Sequence, residues 1–134
     1  MLDPSAVPDL DRDETLARFV YFKSHLRASD NSIRPEAFMP HPYTALSVTR
    51  HREATDEELW NDGRRVAAIR GKPLYGRADT SIAAFDDEGL RTVPDPVLPE
   101  NPNHASVLGW PNDKAAQKDK ALQIAIKSQY LSTP

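Results

Sequence analysis

Apolar residues in this chain come in short dense runs separated by charged or proline-rich stretches, a pattern that predicts several brief strands and few helices. Leu16, Phe19, Val20 and Phe22 lie too close together to show a clean period. The aromatic and β-branched run Phe19-Val20-Tyr21-Phe22 favours a buried strand over a helix. Residues 23 to 45 read as irregular, with a turn signal at Ser29-Asp30-Asn31-Ser32 and with Pro35, Pro40 and Pro42 blocking regular structure. Leu46-Ser47-Val48-Thr49 alternates and predicts a second strand, with Arg50 and His51 emerging at its end.

The clearest element is a helix over residues 56 to 70. Thr55 stands three residues before Glu58 as in a capping box, and Asp56, Glu57 and Glu58 place negative charge where the helix dipole favours it. Leu59, Gly63, Val66 and Arg70, beside Trp60 and Ala67, form its inner stripe, and Gly71 and Pro73 stop it.

Ala78 to Phe85 predicts a strand, turned by Asp86-Asp87-Glu88-Gly89 into a second strand at Leu90 to Val93, a hairpin. Pro94, Pro96, Pro99 and Pro102 then hold the chain extended and poor in donors, as suits a segment crossing a sheet edge. Ala105 to Leu108 reads as a last strand. Asn112 or Asp113 caps a final helix in which Leu122, Ile126 and Tyr130 recur every four residues beside Ala121 and Ala125, with Lys114, Lys118, Lys120 and Lys127 mostly off that stripe. The first 14 residues carry five acids with Pro4 and Pro8 and read as an extended acidic arm that buries little. Residues 15–134 then form a single α+β domain, with a small mixed or antiparallel sheet, two principal helices and long proline-rich loops.

Composition narrows the chemistry. At 134 residues with 39% hydrophobic content one core is within reach, and 12 prolines against 5 glycines imply stiff irregular chain. The net charge of -3 argues against a broad nucleic-acid surface, although a local basic patch survives that objection. The absence of cysteine rules out disulfides, thiolate zinc sites and a cysteine nucleophile. No basic-then-apolar leader and no window of about 20 apolar residues is present, so the expectation is a cytoplasmic protein with no membrane association.

The segments Leu46-Ser-Val-Thr-Arg50, Glu58-Leu-Trp60, Leu74-Tyr-Gly-Arg-Ala78 and Asn103-His-Ala-Ser-Val-Leu-Gly-Trp-Pro111, followed by Lys114, Gln117 and Lys118, resemble a family of small uncharacterised bacterial proteins with no assigned activity. The likeness runs from about Arg18 to Tyr130. It implies a bacterial origin and a single domain, and it assigns no functional residue.

The residues with a claim to chemistry are few. His104 sits between Asn103 and an apolar run, where an imidazole can move a proton or simply fix a loop. If the ends of the first two strands are neighbours, His25 and Arg50 converge with His104 as two proton carriers and a guanidinium for phosphoryl oxygens. Arg64-Arg65, Arg70-Lys72 and Arg77, with Tyr75 between them, offer contacts to phosphate or to an acidic partner, although arginines late in a helix also complement its negative end. Trp110, between Gly109 and Pro111, is either core or a hot spot for a partner. No His-Glu-x-x-His, phosphate loop, dinucleotide fingerprint or nucleophile elbow occurs, and neither a metal site nor a cofactor is expected.

Two functions follow. The leading expectation is a non-enzymatic accessory or interaction protein that binds a protein partner, itself or a small ligand through Trp110, Arg77 and Tyr75. The alternative is a small metal-independent phosphodiesterase or nuclease-like hydrolase using His104, His25 and Arg50, with Arg77 on phosphate.

Overall fold

Six strands of the computed structural model, which describes residues 1–40 and 42–134, pair antiparallel in one sheet, with two principal helices and a third short one: an α+β fold. The strands are β1 Thr15–Val20, β2 Leu46–Arg50, β3 Gly76–Ser81, β4 Arg91–Pro94, β5 His104–Leu108 and β6 Gln129–Ser132. Their spatial order is β4-β5-β2-β1-β3-β6. The helices are α1 Asp56–Arg70, α2 Ile82–Asp86 and α3 Lys114–Ile126.

Alternation along β1 divides the core in two. Leu16 and Val20 join Leu46, Val48, Ala78, Ala105 and Val107 beneath Phe38, Phe85 and Ile124. These last three come from the 3₁₀ turn Pro35–Phe38, from α2 and from α3. Ala17, Phe19 and Tyr21 instead form a smaller cluster with Ala67, Val66 and Leu74 on the α1 side. Gly63 is what lets α1 sit so close, because a Cβ there would lie 2.7 Å from the Phe19 ring. The predicted capping box is present: the Glu58 N–H donates to Thr55 Oγ1 at 3.1 Å and the Thr55 N–H to Glu58 Oε1 at 3.0 Å. Gly71, in the left-handed region at φ 61°, ends the helix.

Several expectations need correction. Residues 82–86 are helical, not strand, since Ile82 and Phe85 both reach the core and residues three apart share a side only when the chain coils. The acidic turn therefore ends α2 instead of making a hairpin with β3. The hairpin that does form joins β4 to β5, with Pro94 opposite Ala105, so the proline-rich stretch is its loop and not an extended crossing. In α3 the buried positions are Gln117, Ala121, Ile124 and Ala125, while Leu122 and Ile126 are exposed, because the helix approaches its neighbours through its small residues. Tyr130 belongs to β6, an edge strand opposite Ala78 that the helical spacing concealed.

The acidic N-terminal segment lies against the body. Leu2 is 2% exposed and its N–H donates to Asn103 Oδ1 at 2.8 Å, so the expectation that this segment buries little fails there. Its four aspartates stay at the surface, while Leu2, the backbone and the Glu14 side chain, 8% exposed and paired with Arg50, do the anchoring.

Thr55→Ala removes the reciprocal cap of α1 and is expected to cost about 1 kcal/mol in urea unfolding, with the denaturant dependence unchanged. A loss below about 0.3 kcal/mol would show that packing alone sets the start of α1.

Candidate functional site

Arg50, predicted as a phosphate ligand, is wholly occupied in holding the N-terminal segment. Its side chain is 0% exposed; Nε and Nη2 donate to Glu14 Oε1 and Oε2 at 2.8 and 2.9 Å, Nη1 donates to the Pro8 carbonyl at 2.7 Å and Nη2 to that of Asp9 at 3.2 Å. Burial raises the Glu14 carboxyl, but the hydrogen bonds from Arg50 and the Asp11 N–H together with the charges of Arg50 and Arg52 outweigh it, and the net shift is downward. With four of its five N–H donors committed and no exposure, this guanidinium is out of reach of a substrate.

The other predicted site residues are dispersed. His104 Nδ1 lies 2.7 Å from the Asp95 carbonyl, which makes that nitrogen the donor and fixes the ring across the β4–β5 loop. His25 lies beyond the other end of β1, its ring 5.1 Å from that of Phe22, and it lines a different cavity from His104. Arg77, 2% exposed, donates to Asp79 and Asp56 and lies 4.6 Å over the Trp60 ring. Asp79 in turn meets His51 Nε2 at 2.9 Å, so Arg77 belongs to an internal network rather than to a phosphate site. Tyr75 is half-buried, and its carbonyl accepts from the Tyr130 hydroxyl at 2.9 Å. Trp110 is buried in the larger core cluster and donates to the Val107 carbonyl, which takes it away from a partner surface. Among the described residues no three His, Asp or Glu side chains are grouped as metal ligands would be.

A site does form, around His104, around Arg65 and Arg70 of the predicted basic group, and around several residues that the sequence did not single out. Between α1 and the sheet runs a cleft of about 210 Å³. Its floor is Phe19, Tyr21, Ser47, Thr49 and His104; α1 contributes Asp62, Arg65, Val66 and Arg70, and the β4–β5 loop closes the far side with Val97 and Asn101. Asp62 is structural, accepting from Arg65 at 2.6 Å, from Asn101 Nδ2 at 3.1 Å and from Thr49 Oγ1 at 3.3 Å.

Arg18 is the distinctive member. The β1–β2 ladder pairs Leu16 with Arg50 and Ala17 with Thr49 and goes no further, although both strands continue. Beyond it the Arg18 guanidinium spans the gap, Nη1 donating to the Ser47 carbonyl at 3.0 Å and Nε to the Ala37 carbonyl at 2.8 Å. Among the described residues no carboxylate comes within ion-pair distance of Arg18 or of Arg70, whose guanidinium lies 5.3 Å over the Tyr21 ring. Burial pulls the Arg18 pKa down to about 10, and the charge of Arg70 pulls the same way. Burial likewise pushes the Tyr21 hydroxyl up to about 12. Three guanidiniums thus face the cleft against one carboxylate, the reverse of the chain's net charge.

No family model, curated protein or solved structure matches this chain.

Because the folded pKa of Glu14 lies below its unfolded value, its ion pair stabilises the fold fully above the ordinary carboxylate range and loses that contribution as pH falls through the folded value. Glu14→Gln is expected to lose about 3 kcal/mol at pH 7 by leaving Arg50 unpaired, and to show a shallower fall in stability between pH 5 and 3, measured by urea unfolding. Burial, helped by the charge of Arg18, lowers the His25 pKa. In an NMR titration its ring should therefore titrate below the usual value of about 6.5 and move back toward it in Arg18→Met.

Proposed function

We propose that the protein is a non-enzymatic accessory protein that binds a small anionic ligand in the cleft between α1 and the sheet. The observation that carries this reading is Arg18: a guanidinium drawn into the fold, bonded only to carbonyls and facing a cavity beside Arg65 and Arg70. Desolvating a cation without an anion is costly, and a ligand that brings the missing negative charge recovers that cost on binding. Arg18 retains donor capacity for it, because Nη2 makes no hydrogen bond to the described residues. Tyr21, Val66 and Val97 give the same cleft apolar surface, the usual setting for a few polar groups that orient a ligand.

The hydrolase alternative has little in its favour. Its three residues share no cavity, and Arg50 is consumed by Glu14. Recognition of a protein through Trp110 loses its anchor with that side chain in the core. A bacterial, cytoplasmic setting is part of the proposal and rests on the family likeness and on the general character of the sequence. No helix among the described residues is long and apolar enough to cross a membrane.

The test is calorimetric titration with inorganic phosphate. Wild type is expected to bind with an affinity that falls as salt rises, and Arg18→Met to bind about tenfold or more weakly, the value of a hydrogen bond to a charged group, while keeping its circular dichroism spectrum. Equal binding by wild type and Arg18→Met, or none by wild type, would sink the reading.

A further inference from the structure

At about 210 Å³ the cleft is smaller than the roughly 300–1,000 Å³ of ordinary small-molecule sites. It does not end at Arg18. A second cavity of about 410 Å³ opens on the far side of the same guanidinium, and Arg18, Ser47 and Arg70 line both. The stalled β1–β2 ladder is what joins them, since a guanidinium stands where further strand pairing would have sealed the sheet.

The second lobe differs in chemistry from the first. Phe22 and Tyr43 line it and are 40% and 75% exposed, and the Lys72 ammonium lies 4.9 Å over the Phe22 ring. His25 stacks at a tilt against Phe22, and Met39 and Leu46 extend the apolar wall. Besides Arg18 and Arg70, its charged members among the described residues are Lys114 and Glu36, and Glu36 is already paired with Lys118 at 3.2 Å. Aromatic side chains beside a cation present a face on which a planar ring can stack, and the cation takes whatever charge that ring carries.

Resting on the anion-binding reading above, we propose that the two lobes form one site for a phosphate monoester of a planar aromatic or heteroaromatic group. The phosphate lies at Arg18 and Arg70, and the ring lies on Phe22 and His25 in the second lobe. Phosphate suits the donors better than carboxylate. Arg18 has already committed Nε and Nη1 to carbonyls, so the fork that grips a carboxylate through two parallel bonds is partly spent. Separate donors converging from Arg18 and Arg70 match a group with three oxygens and up to two charges.

Calorimetry with inorganic phosphate, phenyl phosphate and benzoate on the full chain tests this, with Phe22→Ala as the discriminating variant. Phenyl phosphate is expected to bind wild type about tenfold more tightly than inorganic phosphate, the worth of one stacked ring. Phe22→Ala, at an exposed position, should lose most of that gain and keep its affinity for inorganic phosphate. Equal affinities for phenyl phosphate and phosphate in wild type overturn the second lobe while leaving the anion reading standing. Benzoate binding as tightly as phenyl phosphate overturns the choice of phosphate, and binding of none of the three overturns both proposals.

Discussion

Where β1 and β2 part after Ala17, the sheet substitutes a side chain for its own ladder, and the site depends on that substitution. Where the ladder stops, strand carbonyls need other donors, and here the Arg18 guanidinium supplies them to Ser47 and to Ala37 in the 3₁₀ turn. A neutral donor would meet the same need without importing charge. The guanidinium brings a positive charge into the middle of a sheet and leaves space on either side of it, because a side chain bridges strands without closing them as a ladder does.

Arg18 and Arg50 lie on neighbouring strands and illustrate opposite solutions to the same problem. Arg50 has a carboxylate, two carbonyls and no exposure, and it ties the N-terminal segment to the sheet. Its charge is cancelled locally, so it contributes structure and no field. Arg18 has carbonyls alone, and its charge, with that of Arg70, stays available to the cavity. The residue type is the same in both; what differs is whether an acid from elsewhere in the chain arrives beside it. Glu14 is that acid, and its turn is held by the Asp11 N–H bonded to its own carboxylate.

Legibility from the sequence followed the range of the interactions. The cap and stop of α1 are local signals within a few residues, and residues 56–70 are helical as they indicate. β1, β2 and β5 fall close to where alternation and β-branched content predict them. Errors came where two periods fit equally well. The run Ala78 to Phe85 holds a strand and then a helix, and a four-residue spacing in the last helix pointed to Leu122 and Ile126 when the buried positions are Ala121, Ile124 and Ala125. Of the site, His104 was singled out as a proton carrier, and Arg65 and Arg70 stood in the basic group weighed as phosphate contacts against helix capping. Arg18 lay inside a run read as apolar strand, and Asp62 lay off the inner stripe of the amphipathic helix.

The chain by itself determined its class of structure and its strongest helix, because propensity, capping and alternation act between residues close in sequence. It also ruled out whole classes of chemistry, through the absence of cysteine and of any phosphate-binding glycine loop. Only the tertiary structure decided which arginine is neutralised and which is not. That depends on Glu14 reaching Arg50 across 36 residues, on the carbonyls of Ala37 and Ser47 meeting Arg18, and on strands β1 and β2 ceasing to pair where they do. Such contacts leave no periodic trace in the sequence, since each is a single long-range meeting of one donor with one acceptor.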